Sequence, residues 1–395
     1  MNRLTLEVAD IIRQHGKDFI ESNRSRLSWQ QLKVLRAIER CRTAALGGHL
    51  DRCSRCGHRA ISYNSCRNRH CPKCLTNARD RWLADRQKEL LNVGYFHVVF
   101  TLPHELSWLA LHNQKVVYQL LFQTSAESLL EIAADPKHLG AQIGFLSVLH
   151  TWGQTLQHHP HVHCVIPAGG LSADGLRWVH PRYAFFLPVK VLSRVFRGKF
   201  VAALKRAFRK GKLTFPGSLQ ALASKTAFAA SLRTLFRKDW VVYAKAPFGG
   251  PEHVLHYLAR YTHRVAISNH RLLGLADGQV TFRWKDYAHG SKKRKMTIGA
   301  HEFLRRFLLH VLPKGFVRIR FFGFLANRRR STTLAQCQQL LAAQPECRPR
   351  ALALPPAVST WLCPLCGGTM ILVERLTAQE LSHRTAGPQG FDDTS

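Results

Sequence analysis

The chain has 395 residues, 46% of them hydrophobic, and carries a formal net charge of +34 from 58 Lys and Arg against 24 Asp and Glu. That length suits one large domain with appendages, or two or three small ones, with an ordinary apolar interior under a surface field that selects polyanions. No apolar run reaches the roughly 18 residues of a spanning helix, and Met1 to Glu7 has no signal-peptide core, so the expectation is a soluble, cytoplasmic, nucleoid-associated protein with no membrane partner. Lys and Arg are spread along the whole sequence and do not crowd one amphipathic helix, which favours nucleic acid as the polyanion.

The first expected unit, residues 1–92, is helical, zinc-binding and DNA-contacting. A basic helical stretch from Leu32 to Ala45 and a helix from Asn77 to Leu91, with Trp82, Leu83 and Leu90 apolar, bracket a cysteine cluster. Cys53-Ser54-Arg55-Cys56 and Cys71-Pro72-Lys73-Cys74 are separated by fourteen residues, close to the spacing of a zinc ribbon. There, two knuckles place four thiolates tetrahedrally round a structural zinc. His49, His58, Cys66 and His70 crowd the same stretch, so the ligand set and the number of ions stay open. Cys41, Cys164, Cys337 and Cys347 stand apart from any pair and read as buried thiols. The interleaved arginines, Arg55, Arg67 and Arg69 above all, are expected on the DNA backbone.

The second unit, residues 93–335, opens with the strand Tyr95–Leu102, stopped by Pro103, and a helix over Gln114–Ile132. Ile143–Leu156 and Val162–Ile166 read as a hairpin turning at His158-His159-Pro160. In the second of these strands the period of two puts His161 and His163 on one face and Val162, Cys164 and Ile166 in the core, making a bidentate metal seat. Residues 170–239, with helical stretches Val189–Arg209 and Leu219–Phe236, read as an insertion or a covering layer. After the strand Trp240–Lys245 a breaker cluster should start a helix near Glu252 that runs to about Arg264.

On that helix Tyr257 and Tyr261 are four apart and share a face. Tyr261 falls in an apolar stripe with Val254, Leu258 and Val265, which suits a core residue; Tyr257 lies beside His253, Arg260 and Arg264, where a phenol ionises more easily and cations can hold phosphates. Strands Val265–Ser268 and Val280–Trp284, a basic loop Ser291–Lys295, a helix His301–Leu312 and the run Phe316–Leu325 follow. The third unit, residues 336–395, reads as a linker over Ala342–Thr360 and a tail disordered after Thr377. Its Cys363-Pro364-Leu365-Cys366 is half a knuckle that would need Cys337, Cys347 or a second chain to complete a site.

The cluster Cys53 to Cys74, the run Trp152-Gly153-Gln154-Thr155-Leu156 leading to His159-Pro160-His161-Val162-His163, the segment Tyr257 to Arg264 and the later Phe322 to Arg328 together resemble the HUH endonuclease superfamily. Within it they resemble the two-tyrosine transposases of the insertion sequence ninety-one family, over most of the chain. The resemblance implies an α+β fold, an HUH-type antiparallel sheet with packed helices preceded by a small zinc-ribbon-like module. It implies magnesium or manganese on His161 and His163, with Gln154 as third ligand and His159 next in line. It also implies tyrosine nucleophiles, Tyr257 cutting first and Tyr261 second, that form 5′-phosphotyrosine links and rejoin strands without a nucleotide cofactor.

The implied partner is single-stranded transposon-end DNA, with room for self-association. Arg260, Arg264, Lys292, Lys293, Arg294 and Lys295 would contact it, and Trp284 and Tyr287 would stack bases. Three other readings stay open. His159 to Val165 also looks like the histidine-triad motif of nucleotide hydrolases; plasmid and phage replication initiators share HUH chemistry; and a non-catalytic zinc-dependent DNA-binding regulator would use the two histidines as core residues.

Overall fold

A computed structural model describes residues 6–74, 82–182, 187–248, 265–287, 289–343 and 361–385. The predicted tyrosine helix, with Tyr257, Tyr261, Arg260 and Arg264, lies outside the described residues, as does most of the predicted linker. The described strands are β1 (Gly48–Cys53), β2 (Arg59–Tyr63), β3 (Tyr95–Thr101), β4 (Gly144–Trp152), β5 (His158–Pro167), β6 (Gly170–Leu171), β7 (Trp178–Val179), β8 (Val242–Phe248), β9 (Leu272–Ala276), β10 (Gln279–Asp286), β11 (Lys292–Gly299), β12 (Ile319–Gly323) and β13 (Met370–Leu376). The fold is α+β with antiparallel sheets and packed helices, as expected.

The central sheet has five strands in the order β12-β4-β5-β3-β8, each pair antiparallel. Strand alternation gives it two unlike faces. Phe96, Val98, Phe100, Phe145, Leu149, Val162, Cys164 and Ile166 join the largest core, with Tyr118, Leu121, Phe122 and Leu129 of the helix Gln114–Ala134. Phe196, Phe200 and Leu204 of the helix Val189–Arg209, and Phe228 and Leu232 of the helix Lys225–Thr234, belong to that same core. The 170–239 region therefore includes a covering layer for the sheet. The stretch read as one helix over Leu219–Phe236 is divided between a 3-10 segment, Gly217–Ala223, and the helix Lys225–Thr234, whose N-terminus is capped by the Ser224 hydroxyl accepting from the Ala227 N–H.

A second core joins distant parts of the sequence. Val8, Ile12 and Phe19 of the helix Val8–Ser22 and Val34, Leu35 and Ile38 of the helix Trp29–Glu39 pack with Val280 and Phe282 of β10 and Phe303, Leu304 and Phe307 of the helix Ala300–Leu308. The N-terminal helices are thus packed onto the three-stranded sheet β11-β10-β9, with no separate core of their own in this cluster.

Several expected elements differ. The hairpin turns at residues 153–157, five residues earlier than expected, with the Gly153 N–H donating to the Gln157 carbonyl, so His158 to Pro160 already belong to β5. Val265–Ser268 is a bend, not a strand. The Lys292–Lys295 run is not a loop: it opens β11 and pairs with β10 from Asp286 back to Arg283. After Thr377, where disorder was expected, the helix Ala378–Thr385 buries Leu381 against Leu50 and Ile61.

Candidate metal centre and nucleic-acid interface

Cross-strand register gathers a histidine cluster that could hold a metal on the face of the central sheet opposite the main core. His161 and His163 lie two apart on β5, and their partners on β4 are His150 and Val148. The ligand nitrogens of His150, His161 and His163 all lie within 4.8 Å of one another. The ring centroids of His150 and His163 are 4.4 Å apart and those of His161 and His163 are 4.9 Å apart.

Tautomers follow from the partners. The His161 Nδ1–H donates to the His159 carbonyl at 2.6 Å, which leaves the lone pair of Nε2 for a cation. Burial, with the nearby His159, lowers His161 to about 4, so its imidazole is neutral near pH 7. His97, one strand away on β3, shares a 2.8 Å hydrogen bond between its Nε2 and His163 Nδ1, and burial lowers it to about 3. Three imidazoles whose ligand nitrogens lie this close together fit a divalent cation. A donor set of nitrogens without carboxylate suits manganese better than magnesium.

Gln154, the expected third ligand, has its side-chain oxygen engaged elsewhere. It stands in the hairpin turn, beyond the end of β4, and its side-chain oxygen accepts from the Lys285 N–H at 3.4 Å, while the Arg271 guanidinium donates to its carbonyl. The residue across from His161 is His150. Sequence reasoning missed His150 and His97 because each sits in an apolar strand whose register to β5 is invisible locally. The signal available was that both occupy the alternation phase opposite to the core residues Leu149, Phe96 and Val98.

The four cysteines expected round one ion are divided between two clusters. Cys71 and Cys74 gather with Cys41 and Cys66, and Cys53 and Cys56 gather with Cys363 and Cys366. In the first cluster Cys74 Sγ is 3.4 Å from both Cys41 Sγ and Cys66 Sγ. Hydrogen bonds from Cys41, Cys66 and Cys71 hold the Cys74 thiol far below its ordinary range, so a thiolate is favoured there. Cys41 is therefore part of a ligand-like set rather than an inert core thiol, and Cys66, noted among the extra candidates, joins it. Cys337 and Cys164 are buried away from both clusters.

His70 does not face solvent: it is buried beside His310 and Arg318 at a small cavity, and burial lowers it to about 3. Arg69 likewise does not reach outward. Its guanidinium donates to the carbonyls of Phe316 at 2.5 Å and Pro313 at 2.9 Å, so it ties the cysteine loop to the segment before β12. Arg55 and Arg67 are exposed.

The β10–β11 ribbon carries a local concentration of cations. Register sets Arg283 opposite Lys295 and Lys285 opposite Lys293, all exposed on one face. Like charges directly opposed are unfavourable unless an anion lies over them. On the other face Val280 and Phe282 are buried, and Asp286 holds Arg294 at 3.0 Å. Tyr287 is exposed, with the Lys285 ammonium 5.1 Å from its ring centre. Trp284 is half-buried against the second core.

Among the described residues no helix is long and apolar enough to cross a membrane. Residues 144–332 match a family model described as "Putative transposase", and residues 11–102 match one described as "Transposase zinc-binding domain". The chain is 57% identical over 341 residues to "Putative transposase y4qJ" of Sinorhizobium fredii, covering 86% of this chain and 85% of that protein. It is 29% identical over 358 residues to the "Transposase for insertion sequence element IS801" of Pseudomonas savastanoi pv. phaseolicola, covering 87% and 84%. With an antiparallel sheet that presents clustered histidines and a cysteine-rich N-terminus, the chain belongs to the insertion sequence ninety-one family of transposases and carries that family's zinc-binding domain.

Proposed function

We propose that this transposase cleaves and rejoins single-stranded DNA through 5′-phosphotyrosine links on Tyr257 and Tyr261. The observation that carries the reading is the convergence of His150, His161 and His163 on one face of the sheet. A divalent ion held by these imidazoles would polarise a non-bridging oxygen of the scissile phosphate and offset the charge that grows during in-line displacement.

The remaining work falls to the chain's own groups. A tyrosine oxygen displaces the 3′-oxygen at phosphorus; the phosphodiester is exchanged for a phosphotyrosine, and the leaving 3′-oxygen takes up a proton. The stored ester allows rejoining without a nucleotide cofactor. Two described ends flank the segment that holds the tyrosines, and both touch the central sheet. Phe248 of β8 pairs with Tyr95, and Val265 lines a cavity with Leu149, Thr151 and Trp152. We assign Tyr257 to the first cut and Tyr261 to the second.

Arg283, Lys285, Lys293 and Lys295 on the ribbon, with Arg55 and Arg67, would hold the DNA backbone, and Tyr287 would stack a base. Arg260 and Arg264, beside the tyrosines in sequence, would contact phosphate near the cut. Zinc on Cys41, Cys66, Cys71 and Cys74 would hold the N-terminal module together.

An end-labelled single-stranded oligonucleotide carrying a transposon end, incubated with manganese, is expected to become covalently attached to the protein. Tyr257→Phe with Tyr261→Phe is expected to abolish the adduct; an adduct that survives this double substitution overturns the mechanism.

A further inference from the structure

The cluster of Cys53, Cys56, Cys363 and Cys366 lies only half within the N-terminal zinc-binding match, which ends at residue 102. Its two halves are the same local structure. In each Cys-x-x-Cys-Gly turn the glycine N–H donates to the first cysteine's carbonyl: Gly57 to Cys53 at 3.1 Å and Gly367 to Cys363 at 2.9 Å. Both glycines are left-handed, with φ of 75° and 70°, a conformation that side-chain-bearing residues adopt at a cost. The residue after each glycine closes the turn, with the Cys53 N–H donating to the His58 carbonyl at 2.8 Å and the Cys363 N–H to the Gly368 carbonyl at 2.7 Å. The N–H groups of Arg55 and Cys56 also point at Cys53 Sγ, at 3.4 and 3.5 Å, as donors to a thiolate do.

The halves face each other. Cys53 Sγ is 3.4 Å from Cys366 Sγ, and Cys56 Sγ is 3.6 Å from Cys363 Sγ. A tetrahedral zinc at about 2.3 Å from each sulfur needs sulfur separations of about 3.8 Å, whereas a disulfide needs about 2.0 Å. The backbone is shaped to the cluster: a Cβ on Gly368 would stand 3.0 Å from Cys53 Sγ and 2.8 Å from the Arg55 Cβ. Antiparallel pairing of β13 with β1 sets Met370 opposite Cys53, and the Ser54 N–H donates to the Thr369 carbonyl at 2.9 Å.

Little apolar surface supports this corner. Its two small clusters are Cys53, Ala60, Cys363 and Met370, and Leu50, Ile61, Leu376 and Leu381. Burial on that scale is small support for a segment held against the N-terminal sheet.

We propose that Cys53, Cys56, Cys363 and Cys366 bind a second structural zinc, which clips residues 361–385 onto the N-terminal module as the edge strand of its sheet. The full chain then carries two zinc ions, one at each tetrathiolate cluster, and the C-terminal segment is part of the zinc-binding fold. The inference does not depend on the cleavage chemistry proposed above.

Two measurements test it. Elemental analysis of the purified full-length protein is expected to give two zinc ions per chain, falling to one in Cys363→Ser/Cys366→Ser and staying at two in the control Cys337→Ser. One zinc in the unsubstituted chain, or two in the Cys363→Ser/Cys366→Ser form, overturns it. The second measurement needs no cysteine change: a site-specific protease sequence is inserted after Ala351 and the chain is cut there. The C-terminal piece is expected to co-elute with the rest until a zinc chelator removes the metal. A piece that separates with zinc still bound, or that stays attached after both ions are gone, also overturns it.

Discussion

The Nε2 of His97 lies 2.8 Å from the Nδ1 of His163, joining β3 to β5 through two stacked imidazoles on the face that carries the metal seat. With His163 donating through Nδ1, its Nε2 keeps a lone pair for a cation. His97 is then a positioning residue for a ligand. His97→Ala is expected to weaken manganese binding by about 10-fold to 100-fold, the usual effect of removing an outer-shell partner, and His97→Gln to restore part of it. Titration followed by the manganese electron paramagnetic resonance signal reads this directly; equal affinities in the three proteins would remove His97 from the site.

His150 and Gln154 separate the proposed histidine seat from the one expected from sequence. His150→Ala removes one of three converging nitrogens and is expected to lower manganese affinity by more than 10-fold. Gln154→Ala is expected to leave affinity within about 2-fold, since its side chain is occupied at Lys285. Its effect belongs instead to the hairpin turn, at about 1 kcal/mol of stability. Calorimetric metal titration and thermal melts of both variants distinguish the two roles, and the reverse pattern would reinstate Gln154.

Acid should destabilise the protein through histidines buried in neutral form. His310 is lowered to about 3 by burial, with His158 nearby; its Nε2–H donates to the Leu156 carbonyl at 3.1 Å and its Nδ1 accepts from the Thr151 hydroxyl at 3.2 Å. The folded state holds the proton less tightly than the unfolded chain, whose histidine titrates near 6.5. Stability is therefore full above about pH 6.5 and declines as pH falls towards the folded value. Between pH 7 and pH 4.5 this one group accounts for about 3 kcal/mol at most. Denaturant melts at several pH values, compared with His310→Gln, should show a flatter acid limb in the variant; parallel curves would contradict the assignment.

Arg69 and the ribbon lysines should behave oppositely. Arg69→Ala is expected to cost about 1–3 kcal/mol of stability by removing the guanidinium donor to the Phe316 carbonyl and one of the two donors to the Pro313 carbonyl, with little change in the salt dependence of DNA binding. Lys293→Ala/Lys295→Ala is expected to leave the melting temperature nearly unchanged and to reduce the slope of log affinity against log salt by roughly 1.4 on single strands. Fluorescence anisotropy over a salt series, paired with thermal melts, checks both; a reduced slope in Arg69→Ala would return that residue to the interface.

Local chemistry made much of this legible in advance. Alternation in β5 put Val162, Cys164 and Ile166 in the core and His161 and His163 together, because a strand's period is two whatever surrounds it. The helix Val189–Arg209 was similarly readable from its own residues. The Lys292–Lys295 strand was not. Four consecutive cations hide any alternation, and only pairing with β10 makes that segment extended.

By itself, then, the amino-acid sequence determined part of the ligand candidates, His161, His163 and the paired cysteines, since short-range periodicity and the Cys-x-x-Cys spacing are properties of a few consecutive residues. Only the tertiary structure decided which of them meet. A Cys-x-x-Cys turn supplies half of a tetrahedron and says nothing of where the other half comes from, so Cys53 and Cys56 look towards the nearby Cys71 and Cys74 but meet Cys363 and Cys366. His150 and His97 join His161 and His163 for the same reason: strand register and β13 pairing are long-range choices, settled by which apolar faces bury together.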